Sequence, residues 1–332
     1  MKVTIKDVAK ASGVSTTTVS RIINNIEGSA NEETKKRVLK TVKELNYKPN
    51  ELARSLVTKK TKTMALMLPD ITNPFFPSIA KSVEKSLNKL GYSLILCNSY
   101  DNKENEDNYI RILQEKYVDG IILSSSHIKE DNKLLRDSNI PIVFIDRKAD
   151  YDVEYGVFVK NFEGAYSATK YLIGIGHKNI GCIIGPKEIN TTKERLDGYI
   201  KALDNFHIRV NQEIIKCSEY SIEGGYIASK ELLKNKDITA IFAQDDLIAC
   251  GVYKAAKEMG LKIPNDLSVV GFDDISIVEV LDPPLTTIKQ HTEDIGSIAV
   301  EMIMNLIDNK EVKEKIVTID TDLIKRGSTK GI

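Results

Sequence analysis

The chain has 332 residues, of which 42% are hydrophobic and 28% are charged, as in a globular protein with two or three domains. No apolar run approaches the ~20 residues of a membrane-spanning helix, and the N-terminus lacks the apolar core of a secretory signal. We therefore expect a cytoplasmic protein without a membrane partner. Residues 1–62 hold 14 Lys and Arg against 6 Asp and Glu, whereas residues 63–332 hold 33 against 41. This asymmetry suggests that only the basic head meets a polyanion, but a basic solvated face without a partner has the same charge, and charge alone does not decide between the two.

Three short helices are predicted at the start of the chain. Thr4 can cap the first of them, and Asp7 follows three positions later, as in a capping box. Gly13 can take the positive φ of a short turn, and Ser15 can then cap a second helix. Asn31 can cap a third helix, whose first turn is acidic. A helix, a turn that contains glycine and a second short helix form the helix-turn-helix motif, which binds DNA.

The second helix begins with consecutive hydroxyl residues, Ser15 to Thr18. In a helix-turn-helix, this end of the second helix enters the major groove. Short hydroxyl side chains allow the backbone to approach closely, form hydrogen bonds with base edges and contact thymine methyl groups. Arg21, about one turn further along the helix, can reach a guanine or a phosphate. The pattern therefore predicts that the second helix reads the sequence of double-stranded DNA.

Two segments, TIKDVAKASGVSTTTVSRIIN and LNYKPNELARSL, closely resemble the DNA-binding head of the LacI/GalR family of bacterial transcription regulators. The resemblance extends over essentially the whole chain and implies that Thr16, Thr17 and Arg21 read bases. The residues that it implies as backbone anchors are Ser15, Asn24, Tyr47 and Asn50. The complete predicted DNA-binding set is Thr4, Ser15, Thr16, Thr17, Thr18, Arg21, Asn24, Tyr47, Asn50, Ala53 and Leu56.

The segment PNELARSL predicts a hinge helix between the head and the body. Asn50 can cap a short helix that ends at Leu56, and a helix of this length is too short to be stable alone. The family resemblance implies that two such helices pair across a dimer axis in the minor groove, where leucines wedge between base steps. It places Leu56 at the wedge, with Ala53 alongside. We therefore expect the protein to act as a homodimer.

From Met64 onward, short apolar runs such as MALML, YSLILC and PIVFID alternate with stretches of helical periodicity. This alternation predicts an α/β fold with parallel sheets covered by helices, and the runs are too numerous for one ordinary α/β unit. The body also resembles the periplasmic sugar-binding-protein fold, which implies two lobes behind the all-α head. The predicted domains are a helix-turn-helix domain at 1–48, a hinge helix and linker at 49–62, and an effector-binding and dimerisation domain at 63–332, with lobes at about 63–160 plus 292–325 and at 161–291.

Polar and aromatic residues follow the predicted strands of the body. Ligands in such folds bind at the carboxyl ends of the strands, so these side chains are expected to share one cleft. Carboxylates accept paired sugar hydroxyls, arginines and amides donate to ring oxygens, and aromatic rings stack on the CH face of a sugar. The resemblance is strongest to ribose-type binders. It implies an effector site formed by Asn73, Phe75, Phe76, Asp146, Arg147, Arg195, Tyr220, Asp245, Asp273 and Gln290.

Two positions depart from the pattern of the repressors in this family. Asp146 and Arg147 form an Asp-Arg pair like that of ribose-binding proteins, whereas the ribose and purine repressors usually have Asp-Trp there. Position 245 is often Asn in the family and is Asp in this chain. Both departures bear on which small molecule the cleft accepts.

The combined reading is a sequence-specific repressor of a carbohydrate-utilisation operon, controlled by ribose or a related sugar bound between the lobes. The alternative is a CcpA-like global catabolite regulator that uses a phosphoprotein as corepressor. An enzyme is disfavoured, because the segment GIGHKN misses the dinucleotide-binding pattern and the four histidines are scattered. No cofactor or metal is expected, since the four cysteines lack metal-site spacing. A secreted sugar receptor is disfavoured by the basic head and the absent signal sequence.

Overall fold

The computed structural model describes residues 3–24, 28, 30–47, 60–125, 127, 140–148 and 153–332. It divides the chain into two compact units, Met1–Thr61 and Lys62–Ile332, which are called the head and the body below. The predicted hinge helix lies outside the described residues, and with it Asn50, Ala53 and Leu56. Among the described residues, no helix combines the length and the apolar character that crossing a membrane requires.

The described part of the head is a bundle of three helices, as its sequence predicts. Its helices are α1 (Ile5–Ser12), α2 (Thr16–Ile23) and α3 (Glu32–Glu44). Gly13 ends α1 in the left-handed conformation, at φ 66°, which turns the chain into α2. Val8, Val19 and Val38, one from each helix, are fully buried and form the centre of a small core. The turn between α1 and α2 is short, so the two helices form a helix-turn-helix.

The first sheet of the body has the strand order β11-β5-β4-β3-β1-β2. Met64, Leu66 and Leu68 on β1 face the helices α4 and α10, whereas Ala65 and Met67 face α5. This strand is therefore buried on both faces, which explains its continuous apolar run. The elements of this lobe are β1 (Thr63–Leu68), α4 (Phe75–Lys89), β2 (Ser93–Asn98), α5 (Lys103–Glu115), β3 (Gly120–Leu123), β4 (Ile142–Ile145), β5 (Gly156–Val159), α10 (Thr292–Ile307) and β11 (Ile316–Ile319).

The second sheet has the strand order β12-β10-β9-β8-β6-β7, with helices on both of its faces. Phe242 and Phe272 are fully buried on one face, under α6 and α7. The elements of this lobe are α6 (Asn161–Gly174), β6 (Ile180–Ile184), α7 (Asn190–Asn205), β7 (Ile215–Cys217), α8 (Ile222–Leu232), β8 (Ala240–Ala243), α9 (Asp246–Glu258), β9 (Ser268–Asp273), β10 (Thr286–Gln290) and β12 (Thr321–Ile324), with two short 3-10 helices at Gln212–Ile214 and Ser276–Glu279.

The chain passes between the two lobes at three points. Two of them lie between β5 and α6 and between β10 and α10. The third lies at Asp320, because β11 belongs to the first sheet and β12 to the second. The prediction placed residues up to about 325 in the first lobe, whereas β12 belongs to the second sheet. β12 pairs antiparallel with β10, at the edge of an otherwise parallel sheet. Only Asp320 separates β11 from β12, which is shorter than an ordinary connection between elements, and the sequence analysis did not separate the two strands.

Candidate functional site

The exposed face of the head carries the residues predicted to contact DNA. Thr16, Thr17 and Arg21 are exposed on α2, within about one turn of each other. Thr4 is exposed at the start of α1, where its N–H and its hydroxyl both donate to the Asp7 carboxylate, at 2.8 and 2.7 Å. These hydrogen bonds hold the pKa of Asp7 below its usual value. The first helix therefore begins with a fixed cap.

Four further residues of the predicted set have structural contacts of their own. Ser15 accepts a hydrogen bond from the Thr18 N–H at 3.1 Å, and the two hydroxyls lie 2.9 Å apart. Asn24 ends α2 and donates to the Ser20 carbonyl oxygen at 2.8 Å. Tyr47 is half-buried and packs against the head core. Ser15 and Asn24 thus cap the two ends of α2, and both side chains remain exposed beside Thr16 and Arg21.

A cavity between the lobes of the body brings together nine of the ten residues predicted for the effector site. Residues from both lobes line it. The predicted residues that line it are Asn73, Phe75, Phe76, Asp146, Arg147, Arg195, Tyr220, Asp245 and Asp273. The tenth residue, Gln290, lies behind Asp273 and donates to its Oδ1 at 2.6 Å. Gln290 therefore orients a wall residue.

Hydrogen bonds across the cavity connect the two lobes directly. The Asn73 amide, in the first lobe, donates to Asp245 Oδ2 in the second lobe at 2.8 Å. Near the rim, the Lys148 N–H donates to Asn190 Oδ1 at 3.1 Å, and the Lys148 ammonium lies 3.0 Å from a Glu194 carboxylate oxygen. The lobes are therefore in a closed arrangement.

Three buried carboxyl groups and two buried guanidinium groups set the charge of the cavity. Asp146, Asp245 and Asp273 are each at most 5% exposed, and burial raises the pKa of all three. The Arg195 guanidinium lies near them and opposes this rise in each pKa. Arg147 also lowers the pKa of Asp146. The carboxyls can accept hydrogen bonds from ligand hydroxyls, and the guanidinium groups can donate to ligand oxygens.

Two of these carboxyl groups come from residues in the left-handed backbone region. Asp146 has φ 60° and Asp273 has φ 115°, and each stands at or just after the carboxyl end of a strand. Non-glycine residues in such conformations cost roughly 1–3 kcal/mol each, and they concentrate at functional sites. The strain is offset by surrounding contacts, which include Ser124 Oγ at 3.3 Å from Asp146 Oδ2.

Aromatic rings hold the two arginines and form part of the wall. The Arg195 guanidinium lies 3.8 Å from the centroid of the Phe272 ring, and the Arg147 guanidinium lies 5.8 Å from that of Phe76. Phe75 packs edge-on against Phe76, with the ring centroids 5.1 Å apart. The cavity therefore offers an aromatic wall beside its polar groups, which is the combination that a sugar needs.

Tyr220 is placed by a close approach to the end of β6. A Cβ atom at Gly185 would lie 2.1 Å from the Tyr220 ring, so only glycine leaves room for the ring. The Tyr220 hydroxyl is 2.6 Å from Thr192 Oγ1, and burial raises the pKa of this phenol. Tyr220 therefore enters the cavity neutral and with a fixed hydroxyl.

The sequence analysis missed one wall residue and two residues that support the wall. Thr191 lines the cavity and lies one helical turn before Arg195 on α7, so the spacing of four could have indicated it. Asn161 accepts from Arg195 Nε at 2.8 Å, and the Gln244 carbonyl oxygen accepts from Arg195 Nη1 at 2.5 Å. Asn161 begins α6, far from Arg195 in sequence, so no local pattern could have indicated this contact.

Glu106 is a buried carboxyl near the same cavity. It is 1% exposed on α5, and its Oε2 accepts a hydrogen bond from Ser125 Oγ at 2.6 Å. Burial raises the pKa of Glu106 to about 7, against the opposing effect of the Ser125 hydrogen bond. Ser124, which precedes Ser125, donates to Asp146 in the cavity wall. Two adjacent serines after β3 therefore connect Glu106 to the site.

We expect Glu106 to make the stability of the body depend on pH. The pKa rises from 4.5 to about 7 on folding, so the folded state binds more protons between these values and stability falls as the pH rises through this window. A shift of this size corresponds to about 3 kcal/mol. Urea denaturation between pH 5 and 8 should show a larger pH-dependent loss in wild type than in Glu106→Gln, because the buried carboxyls of Asp146, Asp245 and Asp273 contribute equally to both proteins. Equal slopes for the two proteins would contradict a buried ionisable Glu106, and Glu104→Gln on the same helix is the exposed control.

Head and body together define a class of protein. A helix-turn-helix with an exposed hydroxyl-rich second helix, joined in one chain to a two-lobed α/β body with a polar cavity, is the architecture of a ligand-responsive DNA-binding regulator.

Family models match both parts of the chain. Residues 4–50 match the bacterial regulatory proteins of the lacI family, and residues 61–327 match the periplasmic binding proteins and sugar binding domain of the LacI family. The chain belongs to the LacI family of bacterial transcription regulators. The prediction of family and fold is thereby confirmed.

Curated relatives and solved structures agree with this assignment. The HTH-type transcriptional repressor PurR of Photobacterium profundum is 37% identical over 99% of this chain and 99% of its own length. The ribose operon repressor of Halalkalibacterium halodurans is 37% identical over 99% of this chain and 97% of its own. These relatives are transcriptional regulators, in agreement with the prediction that the chain is not an enzyme.

Among solved structures, a Lac repressor dimer bound to operator and an anti-inducer is similar over 100% of both chains, with a TM-score of 0.89 and 26% identity. A LacI family regulator from Enterococcus faecium with bound ribose is similar over 81% of this chain and 99% of its own, with a TM-score of 0.75 and 31% identity.

Proposed function

We propose that the chain is a homodimeric, cytoplasmic repressor of a carbohydrate-utilisation operon and that ribose or a closely related sugar controls its affinity for operator DNA. The observation that carries this proposal is the composition of the cavity, where three carboxyls, two guanidinium groups and an aromatic wall from both lobes surround one space. The relative named as a ribose operon repressor and the neighbour with bound ribose support the same ligand class.

The proposed mechanism uses the closed arrangement of the lobes. A sugar that bridges Asn73 and Asp146 of the first lobe to Arg195 and Asp273 of the second stabilises closure, because it contacts both lobes at once. Closure shifts the first lobes of the dimer relative to each other, and the hinge segments that begin there lead to the heads. A ligand that favours one arrangement changes operator affinity by a coupling free energy of typically ~1–3 kcal/mol.

The DNA-binding half of the proposal follows from the head. The exposed side chains of α2 are hydroxyls and one arginine, which suit base edges in the major groove. Lysines and arginines are in excess in residues 1–62 and bind phosphates non-specifically. A dimer would place two heads on half-sites about one helical turn apart.

A purine is the second candidate ligand, because a relative at 37% identity is a PurR repressor and the Phe75–Phe76 pair could stack on a base. The three buried carboxyls suit the several hydroxyls that a pentose presents around its ring, and they can also accept from the N–H groups of a purine, so the ligand screen distinguishes the two classes.

We expect D-ribose or another pentose to raise the melting temperature of the protein and to change its affinity for a duplex that the protein has selected from a random library. The measurement is a thermal-shift screen with pentoses, hexoses, sugar phosphates and free purines, followed by fluorescence anisotropy at several salt concentrations. Stabilisation by purines alone would replace the sugar with the second candidate. If no compound acts and a phosphoprotein is required, the CcpA-like alternative stands.

A further inference from the structure

The loop after β2 reaches the wall of the cavity through one acidic residue, Asp101. Tyr100 and Asp101 both adopt left-handed conformations, at φ 55° and 52°, and the Asp101 N–H donates to the Pro69 carbonyl oxygen at 3.1 Å. Two consecutive non-glycine residues in this region are strained. In this conformation the Asp101 side chain lies within hydrogen-bond distance of Arg147 and His127.

The first of these contacts is with an arginine of the cavity wall. Arg147 Nη1 donates to Asp101 Oδ1 at 2.7 Å, whereas Arg147 Nε lies 4.0 Å from the adjacent Asp146 carboxylate. Arg147 is 5% exposed, and the Asp101 side chain is 33% exposed. The Asp101 carboxylate is therefore closer to the buried Arg147 guanidinium than the Asp146 carboxylate is. Asp101 does not line the cavity and contacts Arg147 from outside it.

Asp101 is held on its other side by a histidine. His127 Nε2 lies 3.0 Å from the Asp101 carbonyl oxygen and 3.2 Å from its Oδ1. Both atoms are acceptors, so Nε2 carries the hydrogen. The backbone N–H of His127 donates to Ser125 Oγ at 3.0 Å, and the Ser125 hydroxyl donates to the buried Glu106 carboxylate. The Asp101 carboxylate is thus fixed from two directions.

We propose that Asp101 is a positioning residue of the effector site, which sets the orientation of the Arg147 guanidinium for the ligand. The inference rests on the proposed function in that the cavity takes a small effector. A long arginine side chain has several rotamers, and a charge-assisted hydrogen bond at 2.7 Å selects one of them before the ligand arrives. Ligand affinity then depends on a residue that does not line the cavity.

The test is the variant Asp101→Asn. Asparagine tolerates the left-handed conformation and keeps an acceptor oxygen, so the loop is expected to fold, but the charge is lost. We expect the dissociation constant for D-ribose, measured by isothermal titration calorimetry, to rise about tenfold, while the ligand-free protein still unfolds in one cooperative transition and loses only the stability of one partly exposed ion pair. Glu104→Gln removes the same charge from an exposed residue three positions away and should change the constant less than twofold.

A double-mutant cycle tests the contact between Asp101 and Arg147 in the absence of a ligand. Asp101→Asn and Arg147→Gln, alone and together, should show non-additive effects on the urea denaturation of ligand-free protein. Additive effects would overturn the inference, and so would a ribose affinity in Asp101→Asn within twofold of wild type. If wild type binds no sugar but the cycle shows coupling, the proposed sugar is wrong and a purine takes its place in the affinity measurement, where the same tenfold loss is expected.

Discussion

Replacing Arg195 with alanine is expected to abolish the effector response and to lower the free energy of unfolding by about 3–5 kcal/mol. Arg195 is 4% exposed, and its guanidinium contacts Asn161, the Gln244 carbonyl oxygen and the Phe272 ring. It also lies 3.6 Å from Asp273 Oδ1. Its removal leaves buried carboxyls without a compensating charge and a buried carbonyl oxygen without its donor.

The loss of Arg195 should also change the protonation of the cavity. Arg195 opposes the rise that burial causes in the pKa of Asp146, Asp245 and Asp273, so these pKa values should rise further in the variant. A carboxyl that takes up a proton becomes a poorer acceptor for ligand hydroxyls. The variant is therefore expected to lose sugar binding even where the body still folds.

Urea denaturation and ribose titration of Arg195→Ala test both effects, and Lys193→Ala is the matched control because Lys193 is exposed on the same helix. The control should behave as wild type does. Operator binding by the folded fraction should persist, since the head is a separate compact unit. A variant that unfolds at the same urea concentration as wild type and still binds ribose would show that Arg195 is not part of the site.

Much of the fold was predictable because its signals are local. Thr4 with Asp7, Gly13 and Ser15 fix the start and end of helices through contacts within a few residues, and the structure has each of these features. The apolar runs of the body are strands for a similarly simple reason, since parallel strands covered on both faces have no polar side to interrupt the run. The exit of β11 was not predicted, because β11 and β12 are separated by Asp320 alone, which is shorter than an ordinary connection between elements.

The site was predictable where its residues follow strands and unpredictable where they act from elsewhere. Asp146, Asp245 and Asp273 come at the ends of strands, and a parallel sheet brings such ends together. Asp101 also follows a strand, but the sequence does not show that its side chain meets Arg147 outside the cavity. Asn161 contacts Arg195 across two helices, and this contact depends on how α6 and α7 pack.

Replacing Arg21 with alanine is expected to weaken binding to the selected duplex by about 10- to 100-fold, which corresponds to the ~1–3 kcal/mol of a side chain that reads a base. Arg21 is exposed on α2, one turn beyond Thr17. A helix-turn-helix places this helix in the major groove. Affinity for a random duplex should fall much less, because non-specific binding depends on phosphates and many other cations of the head remain.

Fluorescence anisotropy with both duplexes at several salt concentrations separates base reading from phosphate contact. Lys40→Ala is the control, since it removes the same charge from α3, where the Lys40 side chain is 77% exposed. If Arg21 contacts only a phosphate, the variant should lose affinity equally for both duplexes, and the slope of log affinity against log salt should fall by about 1. An equal loss would therefore remove Arg21 from the base-reading set, and specificity would then rest on Thr16, Thr17 and the shape of the DNA.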